Sequence, residues 1–111
     1  MNKAKKCFII LIGLAIVLII VSIVFYRIDL HRAVQGEKPL FTISSISLDD
    51  GGSTDYRGLG YQIIIWHQLA DEQPADHAYT VYEDGVESYY LIGFRNILDG
   101  PAIPLQKTIN D

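Results

Sequence analysis

The sequence predicts a single N-terminal transmembrane α-helix followed by a small mostly-β domain of about four antiparallel strands in two hairpins. Three observations point there. Cys7 to Tyr26, CFIILIGLAIVLIIVSIVFY, runs for twenty residues without a charge, a proline or a side-chain amide. From Leu40 onward, short runs rich in β-branched and aromatic residues alternate with clusters of Gly, Asp and Pro, the pattern of strands and turns. The 85 residues after Tyr26 suffice for one small domain and not for two.

Twenty helical residues at about 1.5 Å each span roughly 30 Å, the thickness of a bilayer's hydrocarbon core. A helix also satisfies its own backbone hydrogen bonds, which lipid cannot do. The start MNKAKK before an apolar run also describes a secretory signal peptide. Two features favour an uncleaved signal-anchor over residues 7–26. The apolar run exceeds a signal core of about 7–15 residues. Phe25, Tyr26 and Arg27 stand where the small residues of a cleavage site belong.

Residues 1–6 form a basic N-terminus with Lys3, Lys5, Lys6 and the terminal amine, whereas Arg27 and Arg32 follow the helix. This modest bias predicts a single-pass cell-membrane protein, N-terminus cytoplasmic and C-terminal domain extracytoplasmic. Phe25 and Tyr26 suit the far interface as aromatic anchors. Cys7 is the lone cysteine, so no internal disulfide is possible. It precedes the apolar run, the wrong end for a lipoprotein, and Asn2 in place of Gly removes the myristoylation signal. Gly13 has no GxxxG partner.

The chain carries a net charge of −4, but residues 27–111 hold six basic and thirteen acidic side chains. Such an acidic portion excludes nucleic acid as a partner, because phosphates need clustered Lys and Arg. It also opposes adsorption to an anionic membrane surface.

Residues 27–39 read as a stalk. Helix continues to about Val34, since Ile28, Leu30, Ala33 and Val34 do not break it, and Gly36 and Pro39 end it. Residues 40–95 form the β domain. Leu40 to Leu48 is a strand whose parity shifts at Ser44-Ser45, a bulge or bend. Asp49-Asp50-Gly51-Gly52 is a turn. Tyr61 to Leu69 is apolar on both parities between Ile63 and Trp66, as in a strand that is covered on both faces or lies centrally. It is expected to pair with Leu40–Leu48 through the DDGG turn. Gly58 and Gly60 just before it mark a bulge or a close backbone approach.

Ala70 to Ala78 is a polar loop containing Pro74. Tyr79 to Arg95 reads as a hairpin turning at Asp84-Gly85, with Tyr79 facing Tyr90 and Val81 facing Ser88. Residues 96–111, with Gly100, Pro101 and Pro104, read as a loose tail. A partial barrel would fit the same strands.

No catalytic, cofactor-binding or metal-binding residue emerges, and no enzyme is expected. Asp49, Asp50 and Asp55 cluster around a turn, which raises calcium. The spacing lacks the alternate ligands and distal Glu of an EF-hand, and an Asp turn bonding local amides explains it better. His67, Asp71, Asp76 and His77 match no zinc spacing; His67 shares parity with Ile63 and Ile65, as a core or rim residue would. Gly58-Leu59-Gly60 precedes a strand, whereas a phosphate loop opens a helix. Ser44, Ser45, Ser47, Ser53 and Ser88 lack a nucleophile context. Tyr56, Tyr61, Trp66, Tyr79, Tyr82, Tyr89 and Tyr90 are many for so small a domain; sheet packing explains most, and a binding face is the alternative.

Pro39-Leu40-Phe41-Thr42-Ile43, then Asp50-Gly51-Gly52-Ser53, then Tyr56 and Gly58-Leu59-Gly60-Tyr61 occur in this order. In these residues the chain resembles a group of small uncharacterised single-pass membrane proteins of Gram-positive bacteria, whose tails carry P-x-F-T-I, D-G-G-S/T and G-L-G-Y. The likeness covers about residues 32–65. That group often has a basic residue after the last Tyr, where this chain has Gln62. The resemblance implies location and fold and no activity.

The leading expectation is a membrane-anchored protein whose small extracytoplasmic β domain is a binding or interaction module. Its partners would be membrane lipid through residues 7–26 and another protein or envelope component. The alternative is an accessory subunit or modulator of a larger membrane complex, acting through the helix. A third is a cation-responsive domain using Asp49, Asp50 and Asp55.

Overall fold

The computed structural model describes residues 2–110. Helix α1 spans Lys3–Val34, and five strands follow: β1 (Ser44–Ser47), β2 (Thr54–Arg57), β3 (Tyr61–Leu69), β4 (Thr80–Tyr90) and β5 (Gln106–Asn110). A single 3-10 turn, Ile97–Asp99, lies between β4 and β5. The strands form one antiparallel meander in the order β1-β2-β3-β4-β5. A single N-terminal helix and a small mostly-β domain are therefore the fold class, as the sequence predicts.

The ends of α1 are fixed by local chemistry. Asn2 caps its start, the side-chain oxygen accepting from the Lys5 amide at 2.8 Å. At its end Gly36 adopts φ 82°. The Gly36 amide donates to the Ala33 carbonyl and the Glu37 amide to that of Arg32, at 3.0 and 2.8 Å. This is the Schellman arrangement, which needs a left-handed residue after the cap. The predicted end near Val34 is thus where the helix stops.

Residues 27–34 do not act as a spacer. They continue the helix onto the sheet, where Phe25, Tyr26, Leu30 and Ala33 pack against Tyr61, Ile63, Ile65, Val86 and Tyr90. The other face of the sheet is covered by the C-terminal stretch: Ile97, Ile103 and Leu105, with Leu48, close over Ile64 and Trp66. That is why β3 is apolar on both parities. Tyr61, Ile63, Ile64 and Trp66 are all fully buried, and each such side chain contributes about 1.5–3 kcal/mol.

Four sequence expectations are corrected. Among the described residues there are five strands rather than about four in two hairpins. The DDGG turn joins β1 to β2, not to β3, because Thr54–Arg57 is a strand of its own. Asp84-Gly85 is not a turn. It lies inside β4, where Gly85 faces Trp66 and Asp84 faces His67. Gly85 is needed there because Leu105 passes close over it; a Cβ would sit 2.6 Å from the Leu105 Cδ2. The Tyr79–Tyr90 and Val81–Ser88 pairs therefore do not form, and Tyr90 pairs with Tyr61. Finally, the last stretch is not loose within the described residues, and Asp111 lies outside them. It holds the 3-10 turn and β5, which pairs along Thr80–Asp84.

Candidate functional site

Ser22, Tyr26, Asp29 and Ala33 recur at helical spacing and form one stripe on α1. Each meets a specific partner on the sheet. Ser22 Oγ donates to the Leu59 carbonyl at 2.6 Å and lies 3.0 Å from the Tyr90 hydroxyl. The Tyr26 hydroxyl lies 2.9 Å from Ser88 Oγ. The Tyr26 ring also packs on Tyr61 and Tyr90, and Phe25 stacks on Phe41 at 4.1 Å. Phe25 and Tyr26 thus serve the helix–sheet joint.

Asp29 is the centre of this joint. It is fully buried and accepts three groups. The Leu40 and Phe41 amides donate at 2.8 and 3.1 Å, and the Tyr61 hydroxyl at 2.6 Å. A buried carboxylate is tolerable only with such donors. Burial, and then the Asp29 carboxylate, push the Tyr61 phenol far above its ordinary range. The result is a knot that ties the end of the helix, the chain returning from it and the start of β3.

A second buried polar cluster holds the C-terminal stretch on the opposite face. Glu87 accepts from Trp66 Nε1 at 3.0 Å, the Tyr89 hydroxyl at 2.6 Å, Arg95 Nη1 at 3.0 Å and the Ala102 amide at 2.9 Å. Burial pushes its carboxyl up, but these four donors together outweigh burial and hold it below the usual range. Gln62 clasps the Arg95 backbone, donating to its carbonyl at 2.7 Å and accepting its amide at 2.9 Å. It also donates to Asp55 at 3.0 Å. No buried side-chain polar atom among the described residues lacks a partner. The role of Gln62 is thus to read a backbone.

The acidic residues singled out in the sequence are not brought together. Asp50 accepts the Gly52 and Ser53 amides at 3.3 and 3.0 Å, the local Asp turn. Asp55 instead joins Gln62 and Arg57 in the buried cluster. Among the described residues, no group of three or more His, Cys, Asp or Glu is placed to hold a metal ion. His67 is a rim residue. Its Nδ1 lies 2.6 Å from Asp84 Oδ1, and its ring stacks on Tyr82. Asp84 also accepts from Thr108 Oγ1 at 2.7 Å. The pair borders a recess of about 660 Å³ between Ala33, Val86 and Ile103. It has the geometry of a base with its orienting acid, but no hydroxyl or thiol among the described residues bonds its Nε2. Ser53 Oγ accepts the His67 amide at 2.9 Å instead. Gly58-Leu59-Gly60 is the tight β2–β3 turn, closed by the Gly58 amide on the Tyr61 carbonyl at 3.0 Å.

No known protein family, curated protein or solved structure matches the chain. A functional reading rests on its geometry alone, and the feature with a direct physical consequence is the contrast along α1. The large apolar side chains from Phe8 to Ile20 are 44–64 % exposed, whereas from Ser22 onward one face of the same helix is built into the domain. This is one helix long and apolar enough to cross a membrane. Sequence reasoning missed Asp29 and Glu87. For Asp29 a signal existed: a lone acid between Ile28 and Leu30, in stripe with Ser22, Tyr26 and Ala33.

Proposed function

We propose that the chain is a membrane-anchored protein of the kind it resembles among Gram-positive bacteria. α1 spans the cell membrane, with residues 1–6 in the cytoplasm and the sheet domain outside. The domain acts as a binding module for another protein or an envelope component. The observation that carries this reading is the bare apolar stretch Phe8–Ile20. An exposed surface of that size is stable only when a partner or lipid covers it, and the uncharged run that contains it, Cys7–Tyr26, has the length of a bilayer's hydrocarbon core.

The second reading, an accessory subunit or modulator acting through α1, is favoured by one specific feature. α1 enters the domain core without a hinge, held by Ser22, Tyr26 and Asp29. Whatever the sheet binds is then mechanically joined to the intramembrane helix.

Two experiments test this. Sodium carbonate should leave the chain in the membrane pellet, and protease added to intact cells should cut within 70–79. Recovery in the carbonate supernatant, or a mature form beginning after residue 26, overturns the anchor; cleavage only in inverted vesicles overturns the orientation. Replacing residues 7–21 by an unrelated apolar helix then separates the two readings. A cross-linked partner retained after the swap supports the module, and one lost with the domain still folded supports the modulator.

A further inference from the structure

The β2–β3 turn and the segment after β4 meet at the end of the sheet that lies beside the apolar part of α1. The Leu91 amide donates to the Gly60 carbonyl at 2.8 Å. A Cβ on Gly60 would lie 3.2 Å from the Leu91 Cδ2 and 3.6 Å from Ser22 Oγ. The two loops therefore sit at the level of Ser22. Together with Leu18, Ile19 and Ile23 of the helix, Leu59 and Leu91 line an apolar recess of about 530 Å³.

This tip exposes what a water-facing loop conceals. Leu59 is 40 %, Leu91 66 %, Ile92 83 % and Phe94 41 % exposed. Leu91 holds φ 66°, a strained conformation for a side chain of its size, and still points its apolar surface outward. Leu91 is the centre of a three-residue turn closed by the Ile92 amide on the Tyr90 carbonyl at 2.8 Å, which holds that φ and leaves the side chain turned outward.

We propose that this tip is immersed in the same bilayer that α1 crosses, with Leu91 and Ile92 among the acyl chains of the outer leaflet. The inference rests on the anchor reading above and adds the depth. From Cys7 to Val21 is fifteen residues, roughly 22 Å of helix, against a hydrocarbon core of roughly 30 Å. The domain begins at Ser22, so the membrane boundary falls beyond it. On the face of α1 turned from the domain, Val24 remains exposed and the first charge is Arg27. Lipid thus covers the helix at the very level where the tip stands on its other side.

The charge distribution agrees. The acidic balance of residues 27–111 argues against membrane adsorption, but the charge is segregated. The tip residues 58–60 and 91–94 are uncharged, and the residues flanking them are Arg57 and Arg95. Exposed Asp71, Glu72 and Asp76 lie in the loop after β3, at the opposite end of the sheet.

The test uses the full chain with Cys7→Ser, carrying one new cysteine labelled with an environment-sensitive fluorophore. It is reconstituted in phosphatidylcholine–phosphatidylglycerol vesicles. Labels go at Ile92→Cys, at Ala75→Cys in the distal loop and at Ile16→Cys in the helix. Ile92 is almost fully exposed, so its replacement leaves the core intact; Trp66 emission verifies this. The expected result is a blue-shifted Ile92 label, quenched several-fold more by nitroxide lipids labelled near the headgroup than by aqueous iodide. The Ala75 label should behave oppositely. An Ile92 label quenched by iodide, with the Ile16 label quenched by lipid, overturns the tip and leaves the anchor standing. Iodide access at both positions removes the anchor as well. An Ile92 label shielded from both quenchers, with energy transfer between copies, assigns the tip to a second copy of the chain and also overturns the proposal.

Discussion

Asp29→Ala should loosen the joint between helix and sheet more than any other single truncation on α1. The carboxylate is fully buried and holds three donors, two backbone amides and the Tyr61 hydroxyl. Its removal strands all three, at about 1–3 kcal/mol for each unsatisfied buried group. The losses share one carboxylate and do not add fully, so about 3–5 kcal/mol is expected for breaking such a buried charged cluster. For a domain of this size each kcal/mol moves the melting temperature by about 4–8 °C, so the shift should exceed about 12 °C.

Trp66 is the only tryptophan and is buried, so its fluorescence in detergent micelles reports unfolding directly. Tyr61→Phe alone should cost about 1–2 kcal/mol, and the double-mutant cycle should return a coupling of about 1.5–3 kcal/mol, the range for hydrogen bonds to charged groups. A loss below about 1 kcal/mol for Asp29→Ala, or a coupling near zero, refutes the reasoning.

Three further outcomes are expected. Glu87 has a lowered carboxyl pKa. Its stabilisation is therefore fully present above the ordinary carboxylate range and is lost as pH falls through the lowered value. Glu87→Gln should be less stable at neutral pH and show a flatter loss of stability in acid, measured by urea unfolding at stepped pH. Gly58→Ala places a Cβ against the Tyr61 ring, which is pinned by Asp29, so overpacking should cost about 1–3 kcal/mol; a cost that vanishes in the Tyr61→Ala background confirms the clash. Truncation after Asn96 uncovers Ile64 and Trp66 and should red-shift Trp66 emission and abolish cooperative unfolding.

Much of this fold is written in short-range pattern. The uncharged run of α1, its stop at Gly36, the two-sided apolarity of Ile63–Trp66 and the polar loop after Leu69 are all local signals. The errors come where one local signal has two long-range causes. Asp84-Gly85 reads as a tight turn, yet the same glycine is required where Leu105 crosses a strand. The prolines near the C-terminus read as slack chain, although Ile97, Ile103 and Leu105 needed a face to cover. The buried acids were harder. A carboxylate's donors, such as Tyr61 for Asp29 or Arg95 for Glu87, lie far away in sequence, and only the register of the strands brings them near.

The unbroken α1 makes the molecule a lever. Its thirty-two residues give about 48 Å of stiff rod, with the sheet clamped to one end. The free arm runs from Lys3 to Val21, about 28 Å, so a tilt of about 10° at the clamp carries the Lys3 end sideways by roughly 5 Å. Because neither a proline nor a glycine interrupts the rod between Leu14 and Val34, rotation imposed on the strands is carried along the helix as far as Gly13.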